Sequence, residues 1–179
     1  ALGEALKDFH FKSTKEDISV ISDISENDFI PIKYLFRTVD QMPKIEQRAI
    51  SLCQGKVLDV GAASGCHSLV LQQKNKTVKA IDISEGAVVV MEDRGVDDVA
   101  VGDFFKMKNE KFDTLLLLMN GIGIAGTLEK LPEFLEQCKT LLNPGGQILL
   151  DSSDIEYMFK EEDGSVWVDV NKAYYGEVV

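Results

Sequence analysis

From Lys56 onward, short apolar runs alternate with amphipathic stretches in a regular beat, and that alternation limits the folds open to the chain. Lys56–Val60, Thr77–Asp82 and Val99–Val101 read as strands, and the apolar run from Asp113 to Met119 suits a central strand covered on both faces. Gln147–Asp151 reads as a fifth strand. Helices fall between them. Residues 65–74 form one, and Ser84 is a good N-cap for another that runs to Arg94, with Gly95 at C′. Leu131, Leu135, Cys138, Leu141 and Leu142 recur at helical spacing, with Pro132 tolerated only near the start. Asn143-Pro144-Gly145-Gly146 is expected to break that helix before the fifth strand. Pro43–Cys53 reads as a helix stopped by Gly55.

Strands separated by helices make βαβ units with right-handed crossovers. The expected fold is therefore α/β: a doubly wound, mostly parallel sheet with helices on both faces. Residues 1–42 form an N-terminal extension, 43–153 the core, and 154–179 a C-terminal helix and hairpin. Ligands of such sheets bind outside the carboxyl ends of the strands, where strand order reverses. The strand ends are the residues to question.

Composition excludes several function classes. The chain has 179 residues and a net charge of −11, which disfavours bulk binding to phosphate backbones. Its uninterrupted apolar runs stop at five residues, as in Leu115–Met119, far below the ~20 needed to span a membrane. Cys53, Cys66 and Cys138 form no CxxC pair and read as inert buried thiols in a reducing compartment. Residues 1–12 mix charges into their apolar stretch and do not read as a signal peptide, so the cytoplasm is the expected location. No metal-ligating set is assigned.

The first strand runs into Asp59-Val60-Gly61-Ala62-Ala63-Ser64-Gly65. Small residues at a sharp strand-to-helix turn let a ligand approach backbone N–H groups. The dinucleotide fingerprint would need glycines at 63 and 66, where this chain has Ala63 and Cys66. The second strand ends at Asp82, 21 residues beyond Gly61. A carboxylate there can accept hydrogen bonds from both vicinal hydroxyls of a ribose. That points to an adenosine cofactor without saying which one.

The pattern acidic-x-Gly-x-Ala-x-Gly resembles the first motif of class I S-adenosylmethionine-dependent methyltransferases, with Ala63 in place of the middle glycine. The likeness extends over about residues 43–152 through the order and spacing of the motifs on successive strand ends. It implies a Rossmann-like fold, S-adenosyl-L-methionine as cofactor and S-adenosylhomocysteine as product. The implied cofactor-binding residues are Asp59, Gly61, Ala62, Ala63 and Gly65 at the first strand end and Asp82 with Ile83 at the second. Asp103 is expected near the adenine amine. Phe104 either packs on the ring or belongs to the core. Asn120 and Gly121 are expected to face the methyl group and the acceptor. Asn120-Gly121-Ile122-Gly123 differs from the Asn/Asp-Pro-Pro-aromatic run of enzymes that methylate nucleobase amines, so a small-molecule acceptor is expected.

Charge separates the two adenosine cofactors. A pyrophosphate is repelled by a carboxylate at the turn, whereas a cationic sulfonium or ammonium suits one. Asp59 at the mouth of the turn therefore favours S-adenosylmethionine over a nicotinamide cofactor. An NAD(P)-dependent oxidoreductase and a non-catalytic, methyltransferase-like binding module are the alternatives.

Other residues carry two readings each. His67 either touches the cofactor or substrate or is a first-turn helix residue. Phe9, His10 and Phe11 cover the site as a lid or pack on the sheet edge. Arg37, beside Tyr34, meets the methionine carboxylate or makes a surface ion pair. No catalytic residue is nominated. After Asp151 only 28 residues remain, too few for the helix and two strands that would complete the resembled fold, about 40 residues. A trimmed domain is expected, with an exposed sheet edge inviting a homodimer.

Overall fold

The computed structural model of the chain describes residues 1–14, 16–21, 28–161 and 163–166. Helix α1 (Leu2–Lys12) is followed by a small antiparallel pair, β1 (Ile18–Val20) and β2 (Asp28–Ile30). Two 3₁₀ turns, Ile32–Phe36 and Val39–Gln41, lead into α2 (Lys44–Leu52). The core then runs β3 (Lys56–Val60), α3 (Cys66–Gln73), β4 (Thr77–Asp82), α4 (Glu85–Asp93), β5 (Val99–Val101), β6 (Phe112–Leu117), α5 (Leu131–Leu141) and β7 (Leu142–Leu150).

The five core strands lie in the order β5-β4-β3-β6-β7, and every pairing among them is parallel. Order reverses at β3, which has β4 on one side and β6 on the other. Alternate residues of the strands feed opposite layers. Leu58, Val60, Ile81, Leu115 and Leu117 pack with Phe134, Cys138 and Leu141 of α5. Val57, Val78 and Leu116 pack on the other face with Ile50 of α2 and Val70 and Leu71 of α3. Ala80 meets Val88 and Met91 of α4 beside Ala62. Both faces are covered, as the apolar runs require.

Local chemistry sets the helix ends. Ser84 Oγ accepts the backbone N–H of Ala87 at 3.4 Å and caps α4, whose far end passes to Gly95 at φ +86°. Gly55, past the end of α2, has φ +54°, and a side chain there would strike the Asp113 carboxylate.

Two strand boundaries differ from the sequence expectation. β6 stops at Leu117, because Met119 and Asn120 both take φ +64° and turn the chain off the sheet. β7 begins at Leu142, since Asn143–Gly146 do not break the chain out of the sheet. They form a bulge, with the register stepping from Phe112↔Leu142 to Thr114↔Gln147. Asn143 Nδ2 donates to Asp113 Oδ1 at 2.8 Å and Gly145 takes φ +80°, which hold the extra residues.

The N-terminal segment packs on a helix, not on the sheet edge. Gly3 and Gly86 let α1 and α4 touch; a side chain at Gly86 would come within 2.6 Å of the Gly3 carbonyl oxygen. Leu6 joins Ile32, Leu35, Ala87 and Val90 in a shared cluster. His10 pairs with Asp93 at 2.7 Å, Phe9 meets Phe36 at 4.7 Å between ring centres, and Phe11 stays half exposed. Past β7, a 3₁₀ turn over Glu156–Phe159 stands where a short helix over 155–162 is expected. Most of the expected C-terminal hairpin falls on residues 167–179, outside the described ones.

All three cysteines are buried and free. Burial pushes the Cys53 thiol up to about 12 and that of Cys138 to about 11, so both stay protonated and unreactive at neutral pH. No helix among the described residues is long and apolar enough to cross a membrane.

Candidate cofactor site at the strand ends

The turn after β3 is folded back over β4. Gly61 N–H and Ala62 N–H both donate to the carbonyl of Ile81, at 2.9 and 3.1 Å. Ala63 N–H donates to Asp82 Oδ2 at 2.9 Å, while Asp82 Oδ1 accepts Ser84 N–H at 2.9 Å. The carboxylate therefore staples two strand ends together. A carboxylate offers about four acceptor positions, of which these bonds use two, and Asp82 is itself buried, at 6% exposed.

The small residues of the turn serve different ends. Gly61 has φ +69°, and a side chain built there would meet only Ile124 Cδ1, at 3.8 Å. Ile124 belongs to the turn that follows β6, so that turn lies next to the backbone at Gly61. Ala62 is buried against α4. Ala63 takes φ +51°, the left-handed region that glycine occupies without steric cost. Gly65, at φ +77°, is required by packing: a side chain would come within 2.8 Å of Val96 Cγ2 and 3.0 Å of Met91 Cγ.

Around this turn the sheet gathers the other expected residues. Ile83, next to Asp82, is 78% exposed, a large apolar side chain left in the open beside a carboxylate. Gly102 N–H donates to the Asp82 carbonyl and brings the end of β5 alongside. Asp103 there caps a short 3₁₀ turn: Oδ1 accepts Phe105 N–H at 3.0 Å, and Oδ2 pairs with Lys106 at 3.0 Å. The Lys106 bond and the Phe105 N–H hold its carboxyl below the usual range. Phe104 turns inward, 3% exposed and 5.6 Å from the ring of Phe134. Of its two readings, the structure takes core.

Beyond β3 the end of β6 is tied down by an acid that the sequence pattern does not single out. Asp151 accepts Met119 N–H with Oδ2 at 3.1 Å and Gly121 N–H with Oδ1 at 3.0 Å. Asn120 Oδ1 accepts Ser153 N–H at 3.2 Å, and a side chain at Gly121 would strike Leu117 Cβ. Asp151 just past β7 is an ordinary strand-end acid in sequence; only the parallel pairing of β6 with β7 carries it to this loop.

Asp59 is not at the mouth of the turn. It is 2% exposed, and its Oδ2 accepts the hydroxyl of Ser68, in the first turn of α3, at 2.6 Å. Burial raises its pKa; the charge of His67 and the Ser68 bonds oppose that, and Asp82 adds to it. Arg37 makes no surface ion pair. It is 4% exposed and bonds Glu46 of α2, which also accepts from His67 Nε2 at 2.7 Å. His67 is thus a first-turn helix residue, buried and hydrogen-bonded to the Glu46 carboxylate. Helical spacing puts Glu46 on the same face as Met42, Ile50 and Cys53, but that spacing does not say which residue partners it there.

A separate open hollow of about 510 Å³ lies beside Leu135, Leu142, Pro144 and Ile148. None of the expected site residues lines it.

The comparisons agree with the strand-end geometry. Residues 53–177 match the model of a methyltransferase domain family. A crystal structure of an S-adenosylmethionine-dependent methyltransferase from Bacteroides fragilis, in complex with S-adenosyl-L-homocysteine, is 47% identical. The match covers 92% of this chain and 69% of that one, with a TM-score of 0.87. The PH0226 protein of Pyrococcus horikoshii is 22% identical, with 64% and 57% coverage and a TM-score of 0.55. CalS10, an amino pentose methyltransferase from Micromonospora echinaspora solved with S-adenosylmethionine, is 18% identical, with 73% and 59% coverage and a TM-score of 0.55. The last two share the fold. No curated protein sequence matches the chain. With its family match over most of its length and a relative at nearly half identity, the chain belongs to the class I S-adenosylmethionine-dependent methyltransferases.

Proposed function

We propose that the chain transfers a methyl group from S-adenosylmethionine to a small-molecule acceptor at the carboxyl ends of β3, β4, β5 and β6. The observation that carries this reading is the pairing of Asp82, a carboxylate bonded to backbone N–H groups, with the backbone at Gly61, where a side chain would meet only Ile124, across a single turn. When bound, the cofactor supplies a methyl already activated on a sulfonium, with a neutral leaving group. The protein's residues have to bind, orient and exclude water. Asp82 is suited to the ribose hydroxyls and the exposed Ile83 to one face of the adenine. The loop fixed by Asp151, from Met119 to Gly121, forms the wall toward the acceptor. Ala62 and Gly65 support the turn from behind through their packing. Asp59 acts from beneath the turn, buried and tied to α3 through the Ser68 hydroxyl.

Alignment of this kind accounts for about 7–11 kcal/mol of barrier lowering. A general base is needed only where the acceptor atom must lose a proton. The negative charge of the chain supports an acceptor without a phosphate backbone. Free buried thiols suit a reducing compartment, and the cytoplasm is the proposed setting.

Calorimetric titration with S-adenosylmethionine, S-adenosylhomocysteine and NAD tests the reading. Saturable binding of the first two without NAD is the expected result. NAD binding alone would return the site to the oxidoreductase class. Incubating the chain with methyl-labelled cofactor and a panel of small amines, alcohols, thiols and acids then identifies the acceptor.

A further inference from the structure

Behind the strand ends lies a buried cluster of charges from four elements. Arg37 (4% exposed) follows the 3₁₀ turn at Ile32–Phe36, Glu46 (4%) lies in α2, His67 (6%) in α3 and Asp59 (2%) in β3. One oxygen joins three of them: Glu46 Oε2 accepts from both Arg37 Nη2 and His67 Nε2, while Asp59 is held by Ser68.

The two donors reach opposite walls of the candidate site. His67 is the second residue of α3, directly after the Gly61–Gly65 turn, and its charge acts on Asp59. Arg37 Nη1 donates to the Tyr34 carbonyl at 2.5 Å and to Met119 Sδ at 3.6 Å, and its guanidinium lies 4.0 Å over the Tyr34 ring. Met119 opens the left-handed pair at the end of β6 and is 38% exposed. Glu46 therefore connects the backbone turn after β3 with the loop after β6, the two segments flanking the point where strand order reverses.

Stability alone does not account for such a cluster. Buried ion pairs rarely improve on apolar residues of equal size, whereas their loss of one partner is costly. This one leaves Arg37 Nε without a hydrogen-bond partner, the sole such buried side-chain atom among the described residues. Its fork is aimed so that its ends meet Glu46, Tyr34 and Met119, which serves geometry at the expense of complete hydrogen bonding. Burial pushes the Glu46 carboxyl up, but the bonds from His67 and Arg37 bring it below its ordinary range, so it stays ionised and keeps both donors.

We propose that Glu46 is a positioning residue that clamps the Gly61–Gly65 turn and the Met119–Gly121 loop into one register for the cofactor. The proposal rests on the cofactor reading above.

The test uses the full chain and S-adenosylhomocysteine as probe, with Glu46→Gln, His67→Gln and His67→Phe. Glu46→Gln keeps the volume and removes the charge. His67→Gln keeps a donor at the Nε2 position, while His67→Phe fills the space without one. Affinity is expected to fall about tenfold in Glu46→Gln and His67→Phe and to stay within about threefold of wild type in His67→Gln. Hydrogen exchange of the ligand-free protein is expected to quicken at both 61–68 and 119–121 in the two weakened variants, with β4 and β5 unchanged. Wild-type affinity in Glu46→Gln and His67→Phe, or exchange that quickens uniformly over the sheet, would overturn the clamp. Should Glu46→Gln not fold, the His67 pair decides by the same readings. A wild-type chain that binds no S-adenosylhomocysteine would sink the cofactor reading, and the exchange pattern would still decide the clamp.

Discussion

The two sides of the strand-end site handle their charges in opposite ways. On the β4–β5 side, Asp82 and Asp103 hold backbone N–H groups and a surface lysine, and Ile83 stands in the open. On the β3–α2–α3 side, Asp59, Glu46, His67 and Arg37 are buried; Glu46 bonds both Arg37 and His67, and Asp59 bonds Ser68. The first side bonds mainly to backbone N–H groups and a surface lysine; the second is engaged internally, side chain to side chain. Conserving the charge sign of a carboxylate is therefore not enough to assign its role. Asp59 is the penultimate residue of β3 and Asp82 the last of β4, yet one is closed under a helix and the other staples the turn.

The largest break in this contrast is expected from Asp82→Ala. Loss of a charged acceptor is worth about 1.5–3 kcal/mol. Cofactor affinity, read by calorimetry, should fall at least about tenfold, and the orphaned N–H groups of Ala63 and Ser84 should lower the melting temperature as well. An unchanged affinity would remove Asp82 from the site.

The glycines of the turn sharpen the comparison next. Gly65→Ala places a methyl group against Val96 and Met91 at a positive φ, and should cost about 1–3 kcal/mol of stability in urea titration. Gly61→Ala makes only an ordinary contact with Ile124 Cδ1, so its stability cost is the smaller strain of a left-handed alanine, about 1–2 kcal/mol. Its methyl group lies on the side of the proposed cofactor site, so it should weaken cofactor binding more than Gly65→Ala weakens it in the folded protein. Equal binding losses would erase the distinction between the two glycines.

Acid titration separates two of the three buried carboxylates, Asp59 and Glu46. Asp59 has a folded pKa raised above its ordinary 3.8, so its contribution to stability falls as pH rises from that value through the folded one. Glu46 is lowered from 4.5, so its contribution is present above 4.5 and is lost as pH falls through the folded value. Asp59→Asn should therefore gain stability at neutral pH and Glu46→Gln should lose it, with both differences shrinking as denaturation is repeated toward about pH 3. Differences of the same sign would contradict the assignment.

The smallest expected effect is at Ala63. Ala63→Gly relieves a left-handed alanine and adds chain entropy to the unfolded state, which partly cancel, leaving a gain of at most about 1 kcal/mol. A rise of a few degrees in melting temperature, with the affinity unchanged, is the expected outcome. A fall would mean that the methyl group of Ala63, which packs beside the α1–α4 cluster, contributes more than the strain costs.

Much of the core is legible in the chain. The run Thr77–Asp82 is a strand to the residue, Ser84 caps α4, and Gly95 follows its end, because period-two burial and capping chemistry are local. The β1–β2 pair and the 3₁₀ turns before α2 leave no such trace; β2 is exposed throughout, and three residues in β1 are too few to establish an alternation. At the site, the pattern places Gly61 and Asp82 on neighbouring strand ends, but it does not say that Asp59 faces away or that Phe104 turns inward. Those depend on which layer each side chain enters.

The one-dimensional order of apolar runs, glycines and strand-end acids determined the doubly wound parallel sheet and the family, since burial on two faces and tight strand-to-helix turns are local demands repeated along the chain. The destination of the charges was decided in three dimensions. Glu46, Arg37, His67 and Asp59 span 30 positions and meet only because α2 and α3 pack on the same face of the sheet. Asp151 reaches the loop at Met119 only because β7 lies beside β6. A charge's partner is fixed by packing, and packing is a property of the assembled layers.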